Sequence, residues 1–107
     1  MAKCKVTILK QFYDAELARK YLVNPENLYP CRYFPEMGKS WVIDESVKMP
    51  EGFCPSAWDV LKVDIATFAQ GGGNIAGSDW MRDENKMLSC CTDAVRPAVF
   101  LMERMDD

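Results

Sequence analysis

Residues 87–105 decide the fold: Met87-Leu88-Ser89-Cys90-Cys91-Thr92, then Asp93-Ala94-Val95-Arg96-Pro97, then Ala98-Val99-Phe100-Leu101-Met102-Glu103-Arg104-Met105. Two runs rich in strand formers flank a five-residue turn that ends in proline, the pattern of an antiparallel hairpin. In the first run Leu88, Cys90 and Thr92 face one way and Met87, Ser89 and Cys91 the other, because side chains alternate along a strand. The adjacent Cys90 and Cys91 therefore point to opposite faces of a sheet, and one core cannot use both thiols.

Upstream, residues 55–70 carry the strongest helix pattern. Cys54 sits at or beside the N-cap, Pro55 suits the first helical position, and Ser56 is a competing cap. Trp58, Leu61, Ile65 and Phe68 recur at helical spacing with Asp59, Lys62 and Asp64 between them. Gly71-Gly72-Gly73 come next as a terminator, since glycine readily adopts a left-handed C-terminal cap. They close a helix and do not open one, which argues against a phosphate loop. Residues 74–86 form a polar connection that carries Trp80. Before the helix, Met49-Pro50-Glu51-Gly52 is a turn and residues 41–43 a short strand. Residues 24–39 are loop, punctuated by Pro25, Pro30, Pro35 and Gly38, with Cys31 in the middle.

At the start, residues 3–10 alternate, with Cys4, Val6 and Ile8 on one face and Lys3, Lys5 and Thr7 on the other. Asp14 is placed to cap a helix over residues 15–22, whose apolar stripe is Leu17, Ala18, Tyr21 and Leu22. The order β-α-β-α-β-β predicts an α+β fold: a small mixed or antiparallel sheet of about four strands with two helices, in one domain over residues 1–107. The 107-residue length is right for one such domain and leaves no room for a second.

Composition narrows the function classes. Apolar residues make up 49% and charged residues 27%, which is globular and not disordered. The net charge of −3 and the scattered Lys and Arg predict neither a nucleic-acid partner nor an anionic membrane. No apolar run approaches a membrane span or a signal peptide, so the expected location is cytoplasmic, where the five cysteines stay reduced. Three Trp, four Tyr and five Phe are a heavy aromatic load for this size, and a homo-oligomer with aromatics at its interface is expected.

With no histidine in the chain, Ser-His-Asp and Cys-His catalysis are excluded, and so is the commonest ligand of a catalytic metal. Thiols remain. Cys31 lies in a proline-bounded loop, Cys54 at a helix start, and Cys90-Cys91 on a strand. None forms the C-x₂₋₄-C pair of a zinc knuckle, and dispersed cysteines often serve only as small buried apolar residues. Cys54 has a further argument. A thiol at a helix N-terminus meets unpaired N–H groups that favour the thiolate, which makes it the candidate catalytic nucleophile.

Three segments together resemble a family of uncharacterised proteins of about this length, found mainly in anaerobic bacteria and archaea. They are Pro30-Cys31-Arg32-Tyr33-Phe34-Pro35-Glu36-Met37-Gly38, Met49-Pro50-Glu51-Gly52-Phe53-Cys54-Pro55-Ser56-Ala57-Trp58 and Cys91-Thr92-Asp93-Ala94-Val95-Arg96-Pro97-Ala98-Val99-Phe100. The resemblance covers nearly the whole chain. It departs at Ala94, where glycine is expected, and at Ala98, where valine is expected. It singles out Cys31, Cys54 and Cys91, with Trp58 and Arg96 beside them.

Three functions stand as expectations. The first is a metal-binding module of anaerobic metabolism, with zinc or an iron–sulfur cluster held by Cys31, Cys54 and Cys91 and by Cys90 or an external group. The second is a small-molecule-binding protein or thiol enzyme that uses Cys54, with Trp58 or Trp80 lining the pocket and Arg96 holding an anionic group. The third is a homo-oligomeric interaction module without chemistry.

Overall fold

In the computed structural model the hairpin forms as β3 (Lys86–Cys90) and β4 (Ala98–Asp106), paired antiparallel with Cys90 opposite Val99 and Lys86 opposite Glu103. The structure describes residues 2–25, 31, 33, 36–70 and 81–106. The other elements are β1 (Ala2–Gln11), α1 (Ala15–Tyr21), β2 (Ser40–Ile43) and α2 (Pro55–Ala69). All strand pairings are antiparallel, in the order β2-β1-β4-β3. The α+β fold and its element order therefore stand as the sequence predicts, and the sheet is antiparallel throughout. The triple glycine after α2 and Trp80 lie outside the described residues.

One face of the sheet is covered by α2, which packs on β1, β4 and β3. Cys4, Val6 and Ile8 from β1 meet Ala98, Phe100 and Met102 from β4 beneath Ala57, Leu61, Ile65 and Phe68 of α2. These side chains are fully or nearly fully enclosed, and their burial is the main force holding the helix to the sheet. Within this core Phe53 meets Trp41, Trp58 and Phe100, with ring centroids 4.9, 5.9 and 5.9 Å away. Much of the aromatic load is thus internal.

The chain departs from simple periodicity in two places. The β1–β4 register shifts between Ile8 and Lys10, a bulge that turns Gln11 inward in place of Lys10. The expected apolar stripe of α1 is mostly at the surface: Ala18 is buried, whereas Leu17, Tyr21 and Leu22 are exposed. Seven residues give too little helix to lay a full stripe on the core. What holds α1 in place is its start, where Asp14 accepts a hydrogen bond from the Leu17 N–H (3.0 Å) and the Asp14 N–H donates to the Val95 carbonyl (2.9 Å).

Candidate functional site

The thiols are positioned by how β1, β4 and α2 end and begin. A turn over Pro50–Phe53, closed by the Phe53 N–H to the Pro50 carbonyl (3.2 Å), puts Gly52 at φ +83°, a conformation glycine adopts without steric cost. This turn drops Phe53 into the core and places Cys54 at the N-cap of α2, with Pro55 as the first helical residue. Cys54 has the extended backbone of a cap (φ −71°, ψ 121°), yet its side chain makes no capping hydrogen bond. The thiol is half-buried against the core and stands beside uncapped N–H groups.

Cys91 comes directly after β3 and faces the same side as Met87, onto the core, while Cys90 is exposed on the other side. Its backbone N–H donates to the Ala98 carbonyl (3.1 Å), and its sulfur accepts the Ala98 N–H (3.3 Å). Ala98 in turn pairs with Gln11 across β1–β4. Gln11 Oε1 accepts the N–H of Cys31 (3.2 Å), and the Cys31 side chain packs on the core edge. Cys31 and Cys91 are thereby linked through one buried glutamine and one strand pair. Cys54 reaches the same end of the sheet on α2, because Phe53 beside it packs on Phe100, two residues along β4 from Ala98.

Gln11 was not legible in the sequence as a functional residue. It is 6% exposed, the sole buried polar residue among those described. Its Nε2 is enclosed and has no hydrogen-bond partner among the described residues. The amide cannot be turned round, since Nε2 would then face the Cys31 N–H donor to donor. A buried unpaired donor costs about 1–3 kcal/mol, so this one stands out at the Cys31–Cys91 end of the core.

The other expected site residues have defined places. Trp58 is half-buried with its ring edge against Phe53. The Arg96 guanidinium is tied to Asp93, Nη2 to Oδ2 at 3.0 Å and Nε to Oδ2 at 3.1 Å. Asp93 Oδ1 also accepts the N–H groups of Val95 (2.9 Å) and Arg96 (2.8 Å). Burial raises the Asp93 carboxyl, but these backbone donors and the guanidinium outweigh it and hold the group below the usual range. Asp93-x-x-Arg96 thus staples the β3–β4 turn. Asp93, Arg96 and Val95 also wall an open cleft of about 440 Å³ beside Leu22 and Val23. Cys90, the alternative fourth ligand, lies on the opposite face from Cys91. Among the described residues, no three Cys, Asp or Glu side chains are grouped so as to hold a metal ion. No helix among them is long and apolar enough to cross a membrane.

Compared with family models, curated proteins and solved structures, the chain matches none of them.

Proposed function

We propose that the protein binds a small molecule at the thiol-bearing end of its sheet, with Cys54 as the reactive group and Cys31 and Cys91 beside it. One observation carries this: the enclosed Gln11 Nε2, a donor without a partner among the described residues, at the end of the sheet where the half-buried Cys31, Cys54 and Cys91 pack on the core. A ligand bearing a hydrogen-bond acceptor supplies what that donor lacks, and few precisely placed polar groups in an apolar setting is the usual make-up of a small-molecule site. The helix end without a side-chain cap adds further donors to the same region.

Zinc or an iron–sulfur cluster on Cys31, Cys54 and Cys91 is the competing occupant, supported by the thiols' shared location. It requires the three sulfurs to draw together, because the described side chains are not grouped around a metal position.

Native mass spectrometry of the full chain, purified without oxygen, separates the two. The expected result is an organic adduct that survives in Arg96→Lys and is lost in both Gln11→Glu and Cys54→Ser. Gln11→Glu keeps the acceptor for the Cys31 N–H and removes the donor. An adduct with the mass and colour of zinc, iron or a cluster moves the assignment to the metal. A bare chain in every preparation, inert to acceptor-bearing electrophiles at Cys54, overturns both.

A further inference from the structure

At the end of the sheet away from Cys31, Cys54 and Cys91, Arg104 continues the inward alternation Ala98, Phe100 and Met102 of β4 and pairs in register with the buried Cys4. Its guanidinium carbon lies 5.4 Å from the centre of the Phe68 ring near the end of α2. A guanidinium has one side edge on which Nε–H and Nη2–H point the same way, at the spacing of two oxygens of a carboxylate or phosphate. In Arg104 both atoms of that edge are shut away from water, and neither has a hydrogen-bond partner among the described residues.

The carboxylates on the neighbouring elements do not serve it. Glu103 faces the other side of the sheet and meets Lys86 at 3.9 Å. Asp64, one turn before Phe68 on α2, is raised above the usual carboxylate range by burial, with no cation offsetting it. Burying half of a permanently charged fork without an anion is among the costliest arrangements a protein interior can hold. The Phe68 ring beside it adds a cation–π attraction that helps hold the guanidinium at this place.

We infer that the Nε–Nη2 edge of Arg104 is a two-pronged binding site for an oxyanion, a carboxylate or a phosphate, separate from the thiol-bearing end. The site does not depend on what binds beside Cys54.

The test uses the intact chain and two probes, sodium formate and inorganic phosphate, against sodium chloride at equal ionic strength. In a ¹H–¹⁵N spectrum, the Arg104 Nε–H resonance, assigned by its loss in Arg104→Lys, is expected to move downfield and saturate with at least one oxyanion and not with chloride. The anion that saturates at lower concentration identifies the natural group as carboxylate or phosphate. Arg104→Lys keeps the charge and loses the fork. The rise of its thermal midpoint with oxyanion is expected to need about tenfold more anion than in the wild type. Should that variant not fold, the Nε–H is assigned in the wild type by through-bond correlation from the Arg104 side-chain carbons, and the wild-type titration decides. A resonance that tracks chloride equally, or a saturable response unchanged in Arg104→Lys, overturns the site.

Discussion

Cys4 is wholly enclosed between β1 and α2, and burial pushes its thiol up to about 12, more than the hydrogen bond from the Glu103 backbone lowers it. An unfolded thiol ionises near 8.5. The stability this raised group contributes is therefore complete below about 8.5 and is lost as pH rises toward the folded value. Relative to Cys4→Val, the wild type is expected to lose on the order of 2 kcal/mol by pH 10, read from urea midpoints at successive pH values. Parallel curves for the two proteins would show that the thiol ionises without unfolding anything. Asp93 works with the opposite sign. Its carboxyl is held below the unfolded value of about 3.9, so its contribution is present above that pH and drains as acid protonates it. Asp93→Asn is expected to cost about 1–2 kcal/mol at pH 7 and to flatten the acid limb below pH 4. An unchanged acid limb would place that carboxylate's bonds outside the stability of the turn. At this scale the sequence was readable where a residue's neighbours in the chain set its role: Asp14 as a cap, Cys54 at the head of α2, Cys90 and Cys91 on opposite faces. Gln11 was hidden because a bulge just before it changes the phase of the strand, and a bulge leaves no mark in an apolar pattern. Arg104 was within reach, since counting by twos from Ala98 leads to it on the inward face.

The head of α2 is built with a weaker cap than the backbone allows. Serine in the same extended conformation would accept an N–H of the first turn, worth about 0.5–1 kcal/mol, and Cys54 makes no such bond. Cys54→Ser is therefore expected to raise the thermal midpoint by a few degrees while abolishing reaction with alkylating reagents at this position. A stability gain paired with loss of the reactive group is the signature of a residue kept for chemistry. A Cys54→Ser protein less stable than wild type would mark the thiol as core packing. The elements themselves were legible from periodicity and caps: α2 was expected over 55–70 and runs Pro55–Ala69. Their pairing was not. Nothing local tells β1 to lie beside β4, because that choice is made by matching two inward faces, Cys4-Val6-Ile8 and Phe100-Met102, that are far apart in sequence. The stripe on α1 misled for the same reason, as amphipathic spacing states that a face is apolar and not that a partner is near enough to cover it.

For the whole molecule, the consequence of that pairing is that the first and last strands form the centre of the sheet, with β2 and β3 at its edges. The core-facing side chains of β1 and β4 and the underside of α2 are one cluster, so these three elements should open only together. By contrast α1 has one buried side chain and is held chiefly by its first residues, which makes it the natural candidate for opening alone. Native-state hydrogen exchange is expected to separate the two, the slowest amides of β1 and β4 outlasting those of α1 by at least about a hundredfold, a difference near 3 kcal/mol. Leu61→Ala removes a fully buried side chain from the shared core and is expected to cost about 3 kcal/mol. That loss should appear in full in the slow amides of β1, β4 and α2, because they exchange by global unfolding. The amides of α1 should exchange at their wild-type rate, because their opening does not break the core. If α1 accelerates in step with the central strands, it belongs to the same cooperative unit, and its tie through Asp14 and Val95 is stronger than two hydrogen bonds suggest.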